Sequence, residues 1–222
     1  MVLGNIKTTL SPSHRIDLDM DLTHEEISQA VEDLHINKSP GLDGITPEFY
    51  KKFWYLLKNR YLEFLNHAKK NAFLPSRNNS ITCLIYKGTG DVKDLKNYRP
   101  ISIMNTDMKI LSKVLTNRLK KVIPTIIHQT QTAVPGRKID YTIHMIRDLI
   151  DLANNNNSEA ALIFLDQEKG YDRVDHKFLF KTMNAFAIGQ NFIHWVQQTY
   201  DTATTQVQIN GFLTNPMRLK RG

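Results

Sequence analysis

A carboxylate placed where an apolar run stops is the feature of this chain best suited to chemistry: residues 160–165 read AALIFL, and Asp166 follows at once. Backbone at the end of a buried strand is rigid, so a carboxylate there can hold a metal ion through an oxygen ligand at fixed geometry. Capping of the next helix is the competing reading of the same residue. The string LIFLDQEKGYDRVDH places Tyr171 five residues beyond Asp166, with further acids at Asp172 and Asp175. Taken alone, Tyr171 is a core aromatic, and Asp172 and Asp175 are solvated or capping acids. Residues 38–44, KSPGLDG, join a proline to two glycines, which suits either close approach of backbone to a ligand or a tight surface turn. Neither this stretch nor the GTG at residues 88–90 is a Walker phosphate loop, because no Gly-Lys-Ser/Thr follows. The eight histidines form no His-x-x-x-His pair, and Cys83 has no cysteine partner, so zinc has no support.

Positioning such residues requires a folded scaffold, and the sequence predicts one. Thr23 with Glu26 makes a capping box, Leu22 and Ile27 stand as a hydrophobic staple, and a helix over residues 24–36 follows. Thr46 before Pro47 opens a second, long helix reaching about residue 72. Residues 81–87 and 98–103 are β-rich runs with glycines and polar residues between them, a hairpin with a long loop. A lysine-rich helix whose buried stripe is Leu111, Val114, Leu115, Leu119 and Val122 comes next, then a helix over residues 139–153. The apolar run at 160–165 lacks alternation, as expected of a central strand covered on both faces. Two helices near residues 177–187 and 191–200 follow, and Asn210-Gly211 turns a second hairpin of type I′. Residues 1–22 read as a loosely held arm.

The chain of 222 residues is 41% hydrophobic, enough for one sizeable core, and neither disordered nor fibrous. Its 29 Lys and Arg against 22 Asp and Glu give a net charge of +7, which favours polyanionic partners, nucleic acid first. No signal-peptide pattern and no run of about 18 apolar residues is present, so an intracellular chain with no membrane association is expected.

These strings together resemble the reverse transcriptase domain of non-LTR, LINE-type retrotransposons. LIFLDQEKGYDRVDH is similar to the first palm motif of that family. In chain order NKSPGLDGITPEFYK resembles its N-terminal segment, ITCLIYKGTGDVKDLKNYRPISI its two fingers motifs, QTAVPGRKI the segment before the palm, and MRLKRG the opening of the next palm motif. The five matches run in the family's order from about residue 24 to the end. The resemblance implies an α+β fold: right-hand polymerase fingers plus an incomplete palm, helix-rich with a central antiparallel sheet that carries Asp166, the hairpin standing in a separate fingers lobe. On this reading residues 1–22 are the arm and 23–222 a truncated reverse transcriptase domain.

It also implies roles. Asp166 is the catalytic carboxylate, bridging two Mg²⁺ ions, and the backbone carbonyl of Gln167 serves one of them. Lys87 and Arg99 clamp the triphosphate of an incoming deoxynucleotide. Tyr171 stacks below the sugar and excludes the ribose 2′-hydroxyl, although most non-LTR relatives have Phe there and Ala where this chain has Gly170. Lys38, Gly41, Gly136 and Arg137 lie where relatives contact nucleic acid, an RNA template and a DNA primer. The family's catalytic set also needs two adjacent Asp residues, and no Asp-Asp pair occurs in this sequence. RNA-directed DNA polymerisation is the expected activity, with this stretch inactive alone. A non-catalytic nucleic-acid-binding relic of a mobile element is the alternative, an unrelated helical interaction module a third reading, and an RNA-templated RNA polymerase a closer rival.

Overall fold

The computed structural model describes residue 4 and residues 6–71, 79–201 and 203–222. Seven α-helices, a short 3-10 helix (Leu95–Asn97) and five strands are described: α1 (Pro12–Asp19), α2 (His24–Glu32), α3 (Pro47–Asn71), β1 (Asn79–Tyr86), β2 (Tyr98–Met104), α4 (Thr106–Ile126), α5 (Ile139–Asn155), α6 (His176–Ala185), α7 (Gln190–Asp201), β3 (Thr204–Ile209), β4 (Phe212–Leu213) and β5 (Met217–Arg218). The architecture is helix-rich with one mixed sheet, in agreement with the α+β expectation.

The core sits where α1, α2, α3, α4 and α7 converge. Ile27, Ala30 and Val31 of α2 face Leu65 and Ala68 of α3 and Leu111 and Val114 of α4, all essentially sealed from solvent. Such residues recur at helical spacing, and each large one contributes about 1.5–3 kcal/mol on burial. α2 starts as expected: the Thr23 hydroxyl accepts from the Glu26 N–H at 3.2 Å, and the Glu26 carboxylate accepts from the Thr23 N–H at 3.1 Å. It ends at Glu32, short of the expected residue 36, and the chain then turns through Asn37 at φ 59°. α3 starts at Pro47 as expected and is described to Asn71; its expected end at residue 72 lies outside the described residues.

Residues 12–19, expected to belong to a loose arm, form a helix instead. A single apolar residue of α1, Leu18, is buried, which is why the segment has no readable periodicity. Polar anchors hold it. The Asp19 carboxylate accepts from the Phe192 N–H at 3.0 Å and so caps α7 from elsewhere in the chain, while the Asn191 side chain donates to the Asp19 carbonyl at 3.1 Å. Gly189 makes room: a Cβ there would lie 2.1 Å from the Asp19 carboxylate carbon. Gly189→Ala should therefore break this cap and cost about 1–2 kcal/mol, read as a fall in the thermal midpoint. Asp19→Ala removes both cap and clash, so the double variant should be no less stable than Asp19→Ala alone; additive losses would count against the cap.

β1 and β2 pair antiparallel in the expected hairpin, with Ile85 opposite Arg99 and Tyr86 opposite Tyr98. The hairpin does not stand in a lobe apart. β3 joins β1 in parallel, Ser80 against Thr205, and the sheet order is β2-β1-β3-β4. Hydroxyls stitch this junction: Thr82 Oγ1 lies 2.7 Å from Thr205 Oγ1 and 2.9 Å from Ser102 Oγ. The Asn210-Gly211 turn forms as expected, both residues at positive φ, between Ile209 and its partner Phe212.

The strand expected at residues 160–165 is not formed. The backbone there has no partner strand among the described residues, and Ile163, Phe164 and Leu165 are 76%, 82% and 91% exposed. An extended segment needs neighbours on both sides to satisfy its backbone, and the strands available have paired with one another. α5, which precedes it, has no buried residue although its apolar side chains fall on one face.

Candidate nucleotide and nucleic-acid site

The hairpin presents two cations. Arg99 lies directly across from Ile85, and Lys87 follows Ile85 by two residues, so the pleat puts Lys87 and Arg99 on one face at the hairpin's end. The Lys87 N–H still donates to the Asn97 carbonyl at 2.8 Å, extending the ladder past the strand. The connecting loop is fastened: Asp91 and Asp94 carboxylates accept from the N–H groups of Lys93 and Lys96, both at 2.9 Å, and Gly90 at φ 88° passes close to the Asn97 side chain. Lys87 Nζ donates to the Lys96 carbonyl at 2.6 Å, whereas the exposed Arg99 side chain makes no hydrogen bond or ion pair among the described residues. A rigid frame with a free planar guanidinium is suited to gripping phosphate oxygens in pairs.

Asp166 and Gln167 are exposed on the segment that leads into a run of turns, and Tyr171 on those turns is 91% exposed. Among the described residues no hydrogen bond or ion pair joins Asp166 or Tyr171 to Lys87 or Arg99. Asp175 is settled as a helix cap, its carboxylate accepting from the Phe178 N–H at 3.0 Å. Val174 and Asp175 are also where the last residues of the sequence dock: the backbone of Arg221 pairs antiparallel with that of Asp175, and the Gly222 N–H donates to the Val174 carbonyl at 3.1 Å. This brings the first palm string against the opening of the next.

Arg137 is differently employed from what the sequence suggests. Its guanidinium donates to the carbonyls of Pro124, Ile127, His128 and Gln131 at 2.6–3.0 Å, closing the C-terminal turn of α4. Little of it remains for a phosphate. Gly136, at φ 82°, opens to solvent beside it. Gly41 is buried rather than presented, and a Cβ there would fall 2.1 Å from the Asn105 side chain, so its close approach is to the head of α4. Lys38 is exposed on the same loop.

A divalent ion takes about six oxygens in the case of Mg²⁺. Asp166 and the Gln167 carbonyl are donors of the right chemistry, but no group of three His, Cys, Asp or Glu able to hold a metal occurs among the described residues. These residues do not by themselves complete a metal site.

The family profile described as "Reverse transcriptase (RNA-dependent DNA polymerase)" matches residues 85–219, from the end of β1 through LIFLDQEKGYDRVDH and into the first three residues of MRLKRG. This chain belongs to the reverse transcriptase family. The reverse transcriptase domain is 40% identical over 207 residues to the "Transposon TX1 uncharacterized 149 kDa protein" of Xenopus laevis, covering 92% of this chain and 16% of that protein. It is 24% identical to the "Retrovirus-related Pol polyprotein from type-2 retrotransposable element R2DM" of Drosophila melanogaster over 92% of this chain and 20% of that one. It is 25% identical to the "RNA-directed DNA polymerase from mobile element jockey" of the same fly over 86% of this chain and 21% of that one. The resemblance to non-LTR retrotransposon enzymes is thereby borne out, and the domain spans 16–21% of the length of these three relatives. Members of the family generally use divalent metal ions. No helix among the described residues is long and apolar enough to cross a membrane.

Sequence reasoning overlooked Arg118, which the structure makes a central residue. It stands four residues after Val114 and four before Val122, on the buried stripe of α4 and only 6% exposed. A cation at a core position of an amphipathic helix was the available signal.

Proposed function

We propose that these residues supply the nucleotide-gripping face and one catalytic carboxylate of an RNA-directed DNA polymerase, working intracellularly on an RNA template, a DNA primer and deoxynucleoside triphosphates. The observation that carries this is the hairpin, where Lys87 and Arg99 share a face on a fastened loop within a matched reverse transcriptase domain. Arg99 grips phosphate oxygens through its guanidinium, and Lys87 adds a point charge after releasing the Lys96 carbonyl. Tyr171 presents a ring against which a ribose 2′-hydroxyl clashes. Asp166, with the Gln167 carbonyl, contributes to a Mg²⁺ site completed by other residues, where the ion would neutralise charge on the reacting phosphate.

Titration of the chain with a fluorescent deoxynucleotide tests the grip apart from turnover. Arg99→Ala should weaken binding about 10- to 100-fold, the worth of charge-assisted hydrogen bonds at about 1.5–3 kcal/mol, and Lys87→Ala should weaken it less. Equal binding by wild type and Arg99→Ala would defeat the assignment.

A further inference from the structure

The loop that joins β1 to β2 carries Lys87 and Arg99 at its root, yet it has no apolar interior: Val92 and Leu95 are 59% and 72% exposed. Among the described residues from 84 to 100, only Tyr86, Asn97 and Tyr98 are half-buried. An exposed loop loses conformational freedom when it is fixed, so local bonds must hold this one, and they converge on Asn97. Its side-chain amide donates to the Asp91 carbonyl at 2.9 Å, its N–H donates to the Asp94 carbonyl at 3.0 Å, and its carbonyl accepts from the Lys87 N–H at 2.8 Å. Gly90 lets the chain close over this amide, since a Cβ there would lie 2.5 Å from Asn97 Nδ2.

Two tyrosines extend the brace. Tyr86 and Tyr98 stand opposite each other as the last pair of the ladder, with ring centroids 5.4 Å apart. The Tyr98 hydroxyl donates to the Val92 carbonyl at 2.9 Å, and the Tyr86 hydroxyl donates to the Gly90 carbonyl. Side chains alternate along a strand, so both rings lie on the face of the hairpin opposite Lys87 and Arg99. Each cation therefore follows in sequence a ring that is tied to the loop: Lys87 follows Tyr86, and Arg99 follows Tyr98. The folded loop also brings the Lys96 carbonyl within 2.6 Å of Lys87 Nζ, which stations that ammonium beside the hairpin's end.

We propose that Asn97 is a positioning residue for the nucleotide grip: with Tyr86 and Tyr98 it folds the loop back on the hairpin, and so fixes the spacing at which Lys87 and Arg99 meet one triphosphate. This rests on the polymerase reading. A grip set before the nucleotide arrives need not be ordered at the moment of binding, so affinity for the triphosphate rises without any contact from Asn97 itself.

The test is the fluorescent deoxynucleotide titration of the 222-residue chain, run as a cycle of Asn97→Ala, Arg99→Ala and the double variant. Asn97→Ala should weaken binding about tenfold on its own and less than about threefold once Arg99 is gone, because it acts through the grip. Tyr98→Phe, which removes only a hydroxyl, should weaken binding in the same direction by less. Amide hydrogen exchange on the same proteins should quicken at Lys87 and Asp94 in Asn97→Ala and stay unchanged in α2 and α4, which separates a loosened loop from a lost fold. If exchange in Asn97→Ala quickens throughout the core, Tyr98→Phe takes its place in the cycle, with the same outcomes at smaller size. Wild-type affinity in Asn97→Ala, or a loss that persists undiminished in the Arg99→Ala background, would overturn the positioning role while leaving the grip standing. Wild-type affinity in Arg99→Ala would instead overturn the grip itself, and the positioning role with it.

Discussion

Arg118→Ala should destabilise the fold by about 3–5 kcal/mol, the usual consequence of removing one partner of a buried ion pair. The guanidinium donates to both Glu26 carboxylate oxygens at 2.7 and 2.6 Å and to the carbonyls of Leu18, Met20 and Asp21 at 3.1, 2.5 and 2.7 Å. Truncation strands a carboxylate and three carbonyls at once. Whole-domain stability is typically about 5–15 kcal/mol, so the variant should unfold at much lower urea or fail to accumulate folded. Arg118→Met with Glu26→Gln should recover part of the loss, because the stranded charge is gone while the carbonyls stay unpaired. A single variant whose urea midpoint matches wild type would remove the pair from any account of this fold.

The same pair sets an acid limit. Burial pushes the Glu26 carboxyl upward, but the Arg118 hydrogen bonds, the Thr23 N–H and the charges of Arg118 and Lys121 outweigh it and hold the group below its ordinary value. A depressed folded value means the unfolded chain takes up the proton first. The stabilisation is therefore complete above the unfolded carboxylate range, near pH 4.3, and is lost as pH falls through the lower folded value. Glu26→Gln should flatten that part of the stability profile.

Asp166→Asn should abolish most primer extension in a chimera that carries residues 24–219 in place of the matching stretch of the jockey polymerase. Asparagine keeps the shape and loses the negative charge and the second equivalent oxygen. Charge stabilisation at such sites is worth several kcal/mol, and at about 1.36 kcal/mol per tenfold a loss of about 10³ or more follows. Asp172→Asn in the same chimera should retain activity, since Asp172 has no part in the proposed set. In the same assay the 222-residue chain alone should extend nothing, because it holds no Asp-Asp pair. An active Asp166→Asn chimera would sink the site assignment, and synthesis by the chain alone would sink the argument that one carboxylate is too few.

Local signals were the legible ones. The capping box at Thr23 and Glu26, proline at the head of α3, the β-rich runs and intervening glycines that fold β1 on β2 and the Asn210-Gly211 turn each act within a few residues or one loop, and each formed as its chemistry dictates. What could not be read depends on partners distant in the chain. Residues 160–165 have the composition of a central strand but no neighbour to pair with among the described residues, so composition outran topology. α1 is held by Asp19, by a glycine 170 residues later and by carbonyls turned toward Arg118, none of which leaves a periodic trace. Of the candidate site, the hairpin cations were legible through their motif. The employment of Arg137 as a helix cap was not, since its acceptors are carbonyls, which every residue carries.

The cap that Asp19 places on α7 spans 173 residues of sequence. On a ribosome adding about 5–20 residues per second, that separation is a delay of roughly 10–35 s between the making of Asp19 and of the amide it serves. Through that interval α1, a two-turn helix too short to persist by itself, has no α7 to lean on. α1 is thus made long before it is locked in place, and a nascent chain interrupted before Phe192 would carry α1 unanchored to α7 and open to proteolysis.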